Sequence, residues 1–358
     1  MNQNERMPGA KTRREISAQP EVWRQVLEGA ALDAGRLRRV FAAGDGEETL
    51  FIGCGTSYYL ALAAASGFRL LTGRAARALP ASEILLYPQA ALESSRPYLA
   101  VLFSRSGETT EAVRAAEALG ARGDVRTVAI TCSPGTPLPG ACAEAFVLRG
   151  VTEDSVVMTQ SFTSMLLYAQ YAAATAAGRT EVLADLERLP GTGRAAVEQG
   201  RALAETTVAA GRPDTVFFLG GGPCYGLACE GMLKVKEMAI QNSEAYHPLE
   251  FRHGPKALIS PDSLVVYLAT EEGRDLELPV ALELAGLGAR VLAVTERPLP
   301  GLPPQAQLVL ESGLAQPACG ALYLPFLQWL GFFLAQAKGL DPDRPVHLSA
   351  VTRLDPPA

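Results

Sequence analysis

A run of hydroxyl residues around one glycine is the part of the sequence whose residue types best suit an anion. The run Ser104-Arg105-Ser106-Gly107-Glu108-Thr109 follows the apolar residues 99–103 and precedes a helical pattern. In parallel α/β sheets ligands bind where a strand ends, and the next helix offers unpaired N–H groups and a partial positive charge. The pattern therefore favours a phosphate-binding loop, with capping of the helix by Ser106 or Thr109 as the alternative.

A second loop of small residues follows another apolar run. It reads Gly53-Cys54-Gly55-Thr56-Ser57 and lies at a strand-to-helix junction, so its residues are further candidates for substrate binding. A dinucleotide fingerprint would require a third glycine where Tyr58 stands. We therefore expect no nicotinamide cofactor, and no other cofactor is indicated.

Three charged residues share one face of a later helical segment. Glu230, Lys234 and Glu237 are spaced at i, i+4 and i+7. A carboxylate held beside a lysine in a partly closed site can act as a base. Spacing alone favours the alternative, a solvated row of ion pairs.

One of the three histidines, His253, lies between Arg252 and Gly254-Pro255, a pattern typical of a loop. Loop histidines often take part in catalysis, so His253 is a candidate whose role the spacing leaves open.

Composition excludes several classes of function. A net charge of −6 and a pI near 5.3 provide no long-range attraction for nucleic acid or an anionic membrane. The six cysteines have no metal-type pairing and no signal peptide precedes them, so we predict no metal site and a reducing cytoplasm. The apolar residues 322–335 are fewer than the roughly 20 that cross a bilayer, so they predict a buried helix.

The strands and helices that position these residues form a pattern that occurs twice along the chain. Residues 51–61 match residues 218–228 at both glycines, the tyrosine and Leu-Ala, and two further apolar runs recur in the same order at nearly the same spacing. Short apolar runs alternate with helical stretches in each half. We predict an α/β fold of two tandem, doubly wound (flavodoxin-like) parallel-sheet domains in a three-layer α/β/α arrangement.

The same pattern gives the domain boundaries. We expect a loose polar segment at 1–14, an amphipathic helix at 20–42, and one or two linking helices at 180–209 that are interrupted near Pro190-Gly191-Thr192-Gly193. The predicted divisions are an N-terminal extension at 1–43, a phosphate-binding domain at 44–180, linking helices at 181–210, a second domain carrying the base at 211–345, and a tail at 346–358.

The loop Ser104 to Thr109, called the anion loop below, has a copy in the second half with different side chains. This copy reads Thr270-Glu271-Glu272-Gly273-Arg274-Asp275, and its carboxylates would repel a phosphate. Phosphate binding is therefore expected in the first half only.

Several ordered motifs resemble the sugar isomerase (SIS) family, over nearly the whole chain. The closest likeness is to its double-domain branch, which includes the isomerase half of glutamine:fructose-6-phosphate amidotransferase, glucosamine-6-phosphate deaminases and fructosamine-6-phosphate deglycases. The motifs are Arg14-Glu-Ile-Ser-Ala-Gln-Pro20, Cys54-Gly-Thr-Ser57, Ser104-Arg-Ser-Gly-Glu-Thr109, Glu153-Asp-Ser-Val-Val-Met-Thr-Gln-Ser-Phe-Thr163, Leu233-Lys-Val-Lys-Glu237, Glu250-Phe-Arg-His-Gly-Pro255 and His347-Leu-Ser349.

The resemblance implies a role for each candidate. Glu237 would carry a proton between C1 and C2 of an open-chain sugar, beside Lys234, and His253 would assist ring opening from the neighbouring subunit of a homodimer. Backbone around Val156 and Met158 would line the sugar. The implied phosphate cradle consists of Ser57, Ser104, Arg105, Ser106 and Thr109.

Two departures from the family restrict the assignment. Only about twenty residues precede the first predicted helix, so glutamine is not expected to supply nitrogen within this chain. Ala350 stands where the family's tail commonly has a lysine, which excludes Schiff-base chemistry from that position.

We therefore expect a cytoplasmic, cofactor-free isomerase and deaminase that converts an aminosugar 6-phosphate, in the first place glucosamine 6-phosphate, into fructose 6-phosphate and ammonia. The alternatives are a fructosamine-6-phosphate deglycase, a plain aldose–ketose isomerase of a hexose 6-phosphate, and a phosphosugar sensor without turnover.

Overall fold

A computed structural model describes residues 7–354 of the chain. They form two compact units. One unit comprises Glu21–Glu153, Gln160–Glu187 and 349–354 and is called the β1–β5 unit after its strands, which lie between Glu48 and Val147. The other comprises 7–20, Asp154–Thr159 and Arg188–Leu348 and is called the β6–β10 unit after its strands, which lie between Thr215 and Val309. Two of the five divisions between the units, after Pro20 and after Glu187, fall inside helices.

The first half of the chain contains these elements in order: α1 (Ala10–Leu32), α2 (Ala34–Val40), β1 (Glu48–Gly53), α3 (Thr56–Thr72), β2 (Ala76–Pro80), α4 (Ala81–Leu86), α5 (Pro88–Ala91), β3 (Tyr98–Ser104), α6 (Thr110–Gly120), β4 (Val125–Thr131), α7 (Pro137–Ala141), β5 (Glu144–Val147) and α8 (Gln160–Ala177). The second half contains α9 (Thr180–Ala209), β6 (Thr215–Gly220), α10 (Pro223–Ala239), β7 (Ser243–Tyr246), α11 (Pro248–Phe251), β8 (Ser263–Leu268), α12 (Arg274–Gly286), β9 (Arg290–Thr295), β10 (Gln307–Val309) and α13 (Gln316–Ala337).

Both sheets are parallel and have the same topology. Their strand orders are β2-β1-β3-β4-β5 and β10-β9-β8-β6-β7, which are the same order when each half is numbered from its own first strand. The order 2-1-3-4-5 is the flavodoxin-like doubly wound one. With helices flanking each sheet, the prediction of a duplicated α/β fold is confirmed.

Each unit has its own apolar core between sheet and helices. In the first, β1 and β3 contribute the fully buried Leu50, Ile52 and Leu102. In the second, β6 and β8 contribute the fully buried Phe217, Val265 and Tyr267. The central strands β1, β3 and β8 are buried along their whole length, which explains their continuous apolar sequences.

The N-terminal helix differs from the sequence prediction. It begins at Ala10 and not at Pro20, so residues 10–14 are helical and not loose, while residues 1–6 lie outside the described part. Pro20 lies inside the helix, where its ring nitrogen cannot donate to the carbonyl four residues earlier. The side-chain amide of Gln19 donates to that Ile16 carbonyl at 3.0 Å, which satisfies it.

The linking segment is also different. Thr180–Ala209 is one helix that continues through Pro190, so the predicted interruption is wrong. Apolar side chains on either side of Pro190 are buried, namely Leu186, Leu189 and Val197. The burial of this face of the helix outweighs the tendency of proline to interrupt it.

The apolar helix near the C-terminus was predicted correctly as buried. Among the described residues, α13 alone is long and apolar enough to cross a membrane, and 89% of its most apolar window is buried inside the protein. A soluble protein's core helix has the same properties.

Candidate functional site

The anion loop is folded by its own hydroxyl groups. β3 ends at Ser104 and α6 begins at Thr110. Ser104 Oγ accepts a hydrogen bond from the Gly107 amide at 3.0 Å, and Ser106 Oγ accepts one from the Glu108 amide at 3.2 Å. Thr109 precedes the helix but its side chain makes no capping bond, so the capping alternative is wrong for both candidates.

The glycine of this loop cannot be replaced by a larger residue. Gly107 has φ of +65°, and a Cβ there would lie 2.1 Å from Thr136 Oγ1. The backbone at this turn therefore has to approach its neighbour without a side chain.

The second predicted loop lies at the same edge of the same sheet. Residues 54–57 follow β1, which pairs with β3 in parallel, so both loops come after the carboxyl ends of neighbouring strands. Gly55, with φ of +53°, precedes α3, and the buried Thr56 and Ser57 are its first two residues. The structure thus brings the candidates of the two loops to one sheet edge.

Cys54 is not a nucleophile in this loop. Burial, together with the nearby Glu111 carboxylate, raises the pKa of its thiol to about 12. The reactive thiolate is therefore absent at neutral pH.

Arg105 is held by a carboxylate from a distant part of the chain. Its guanidinium lies 3.2 Å from Glu153, and the side chains are 10% and 1% exposed respectively. Glu153 also accepts a hydrogen bond from the Ser161 amide at the start of α8, at 3.2 Å. Glu153 was not predicted as a partner of Arg105, because 48 residues separate the two in the chain.

The C-terminal segment of the β1–β5 unit contacts the same loop. Arg105 donates to the Ala350 carbonyl at 3.0 Å, and Arg353 pairs with Glu108 at 2.8 Å. Ala350, where the family resemblance led us to expect a lysine, therefore contributes a main-chain oxygen to Arg105.

The predicted sugar-lining residues lie in the β6–β10 unit. Val156 and Met158 belong to an irregular segment and are half-buried, whereas Ser155, Val157 and Thr159 between and beside them are buried. This alternation leaves one side of the segment accessible.

The charged row on α10 is buried and not solvated, so the alternative that spacing favoured is wrong. Lys234 Nζ lies 3.1 Å from Glu230 Oε1 and 2.6 Å from Glu237 Oε2. The side chains of Lys234 and Glu230 are completely buried, while that of Glu237 is 19% exposed. Of the three, Glu237 alone has the exposed surface that proton exchange with a substrate requires.

The two carboxylates keep Lys234 charged. Burial acts to lower the pKa of its ammonium group, but the charges and hydrogen bonds of Glu230 and Glu237 outweigh this and raise it. Lys234 is therefore a fixed positive charge beside Glu237.

His253 lies in a turn after α11 and is exposed. Two exposed apolar side chains flank it in sequence, Leu249 at 41% and Leu258 at 59%. The structure places His253 in the same unit as Lys234 and Glu237.

The second copy of the anion loop keeps the fold of the first but contains a carboxylate. Thr270 Oγ1 accepts a bond from the Gly273 amide at 3.0 Å, as Ser104 does in the first copy. A Cβ at Gly221 or Gly273 would lie 2.3 or 2.4 Å from the Glu277 carboxylate. Glu277 thus fills the space between the two glycine backbones.

Within residues 7–354, no three His, Cys, Asp or Glu side chains lie together in an arrangement that could hold a metal ion. All six cysteines are free thiols.

A protein-family model described as "SIS domain" matches residues 47–175 and 212–318, which is more than half of the chain. The chain belongs to the SIS domain family. The two matched segments contain the two sheets, and the resemblance drawn from the motifs is confirmed.

Two relatives of similar length are described as aminosugar-phosphate deaminases, one of them as a putative one. The chain is 32% identical to a putative D-galactosamine-6-phosphate deaminase from Streptomyces coelicolor, over 96% of this chain and 93% of that protein. The crystal structure of glucosamine-6-phosphate deaminase from Thermotoga maritima matches with a TM-score of 0.81 and 30% identity, covering 96% of this chain and 100% of that one.

A longer relative is the isomerizing glutamine–fructose-6-phosphate aminotransferase of Methanothermobacter thermautotrophicus, 30% identical over 86% of this chain. The chain spans about half of that protein's length, 51%. The family of this chain is therefore one of phosphosugar isomerases and deaminases.

Proposed function

We propose that the protein is a deaminating isomerase of an aminosugar 6-phosphate, in the first place glucosamine 6-phosphate, which it converts to fructose 6-phosphate and ammonia. The observation that carries the proposal is the Glu237 carboxylate, which is partly exposed and held against the buried Lys234. The two deaminase relatives that match this chain over more than 90% of its length support it.

The phosphate is assigned to the β1–β5 unit. We expect the loop Ser104 to Thr109 and the neighbouring residues Cys54 to Ser57 to bind it through hydroxyl and amide donors at the carboxyl ends of β1 and β3. Arg105 would add a positive charge, which its ion pair with Glu153 partly neutralises. Binding of the phosphate would therefore rely on the oriented N–H and O–H groups of the loops as much as on net charge.

The proton transfer is assigned to Glu237. In the open-chain sugar its carboxylate would remove the proton from C2 and return it to C1, while O1 gains the proton that the amine loses. The aldehyde carbon then becomes CH₂OH and the amine-bearing carbon an imine. Water then adds to the imine carbon and ammonia leaves, so that the ketone of fructose 6-phosphate remains. Lys234, which is completely buried, would act through Glu237 by holding its carboxylate in position.

His253 is assigned to ring opening, and Val156 and Met158 to contacts with the sugar. Because His253 is exposed between the apolar Leu249 and Leu258, we propose that it is covered by a second copy of the chain in a homodimer and serves the partner's substrate. Six free thiols agree with a cytoplasmic location.

The test is an assay of purified protein with glucosamine 6-phosphate, scoring ammonia and fructose 6-phosphate together. We expect equal amounts of both, and Glu237→Gln should lower the rate by at least about 100-fold while substrate affinity remains. Glu205→Gln, which changes an exposed carboxylate of the same unit, is the matched control and should leave the rate unchanged.

Other outcomes identify the rivals. Turnover of galactosamine 6-phosphate alone would reassign the C4 epimer, and release of an amino acid from a fructosamine 6-phosphate would indicate a deglycase. Isomerisation without ammonia would indicate a plain isomerase. Tight binding without any product, unchanged in Glu237→Gln, would identify a sensor and refute the proposal.

A further inference from the structure

A buried carboxylate of the N-terminal helix holds the start of the segment Asp154–Thr159. Glu15 on α1 is 2% exposed. Its Oε1 accepts hydrogen bonds from the amides of Asp154 at 2.7 Å and Ser155 at 3.2 Å, and its Oε2 accepts one from Ser155 Oγ at 2.5 Å. Three hydrogen bonds converge on this one buried carboxyl group, so this end of the segment is firmly fixed.

The other end of the segment is held by a buried amide. Gln328 on α13 donates to the Thr159 carbonyl at 3.2 Å, and its Oε1 accepts from Gln19 on α1 at 2.8 Å. α1 therefore fixes the segment directly through Glu15 and indirectly through Gln19.

Between these two ends, the segment is internally braced. Ser155 Oγ also lies 2.7 Å from the Val157 carbonyl, so its single hydroxyl hydrogen is within reach of that carbonyl as well as of Glu15 and bonds to one of them at a time. Val156 and Met158, the residues assigned to the sugar, are half-buried between buried neighbours. The backbone conformation at these two residues thus depends on where Ser155 is held.

The start of α1 is itself anchored at a separate point. Asp343 accepts hydrogen bonds from the Lys11 amide at 2.9 Å and from the Thr12 amide at 2.8 Å. Glu15 lies one turn further along a helix whose first turn is already fixed, so its carboxylate has a defined position.

We propose that Glu15 is a positioning residue: it sets the backbone of Val156 to Met158 for contact with the sugar, without touching substrate itself. The proposal rests on the proposed function, since it requires this segment to line the sugar. It assigns a catalytic consequence to a residue of the N-terminal helix.

The experiment compares three variants with matched chemistry. Glu15→Ala removes the acceptor for both amides. Glu15→Gln retains it, because the amide oxygen can accept from both N–H groups while the amide nitrogen donates to Ser155 Oγ. Glu296→Ala is the control, because Glu296 is a buried carboxylate of the same unit that accepts from the amide and hydroxyl of Ser312, away from the segment.

The expected result is a loss in kcat. Misplacing a substrate-positioning group by about 1 Å costs about 100-fold in rate, so kcat of Glu15→Ala should fall by about that factor. Inhibition by inorganic phosphate, which probes the β1–β5 unit, should change by less than about twofold. Glu15→Gln should recover most of kcat, and Glu296→Ala should keep it although both alanine variants lower the melting temperature.

Hydrogen exchange separates failure of this inference from failure of the proposed function. Amides 154–158 should lose protection in Glu15→Ala and keep it in Glu296→Ala, whether or not the protein releases ammonia. Unchanged protection, or an active enzyme whose Glu15→Ala variant keeps wild-type kcat, would overturn the positioning role. Should Glu15→Ala not fold, Ser155→Ala, which removes the hydroxyl near Glu15 and Val157 but keeps both amide bonds to Glu15, is expected to lower kcat by a smaller factor; wild-type kcat in that variant together with unchanged protection of amides 154–158 would overturn the role.

Discussion

Replacing Lys234 by methionine tests the central claim that α10 contains a buried ionic triad. The substitution conserves most of the side-chain volume but removes the ammonium group that lies between Glu230 and Glu237. The Glu230 side chain, which is fully buried and out of contact with water, then loses its cationic partner. We expect a large loss of stability from a single substitution.

The magnitude follows from the two distances. At an effective dielectric constant of about 20, separations of 3.1 and 2.6 Å correspond to attractions of about 5 and 6 kcal/mol. The cost of removing the charges from water cancels much of this. Removal of one partner from a buried ion pair typically costs about 3–5 kcal/mol, and we expect Lys234→Met to fall in that range.

The assay is urea unfolding of wild type, Lys234→Met, Glu230→Gln and the double variant at pH 7. Because the folded-state pKa of Lys234 is raised from 10.5, the wild-type advantage is complete at neutral pH and is lost only as pH rises through that raised value. The double variant should recover at least about 1 kcal/mol relative to the sum of the singles.

A loss below about 1 kcal/mol, the value typical of exposed pairs, would refute the buried triad. Additive effects of the two single substitutions would refute the coupling between Lys234 and Glu230.

Two further predictions concern the same unit. Burial raises the pKa of Glu277 above its ordinary value of 4.5. The stability of the wild type should therefore fall as pH rises from 4.5 towards that raised pKa, because the folded protein retains a proton that the unfolded chain loses. Thermal unfolding across this pH range should show no such decrease in stability for Glu277→Gln. If the inactive variants Glu237→Gln and His253→Asn are mixed and exchange subunits, the hybrid dimers should restore up to about a quarter of wild-type activity, since half of the dimers then have one complete site. Absence of any recovery despite verified exchange would place His253 at the substrate of its own chain.

Local sequence signals were sufficient for the sheets and for the shared face of α10. The apolar runs at β1, β3 and β8 are continuous because these strands are buried along their whole length, and the duplicated glycines mark the turns after β1 and β6. Residues spaced three and four apart on a helix are always neighbours, so the contact between Lys234 and Glu237 was readable from spacing. The anion loop was readable for a similar reason, since its hydroxyl–amide bonds join residues two or three apart.

Helix boundaries at proline were not readable in this way. Proline lacks the N–H that a helix interior needs, so a sequence favours a break there. Whether the helix continues depends on what else satisfies the carbonyl and what the flanking residues bury. At Pro20 the Gln19 side-chain amide satisfies the free carbonyl, and around Pro190 the flanking leucines are buried.

The sequence by itself determined the duplicated architecture and the loop that suits an anion, while its resemblance to the SIS family singled out Glu237 as the candidate base. Only the tertiary structure decided that Lys234 is buried, that Glu153 holds Arg105, and that Glu15 reaches a segment 139 residues away. The physical reason is that backbone preference and helical spacing act between near neighbours in the chain, whereas burial and the partner of a charge are set by packing between residues that the sequence keeps far apart.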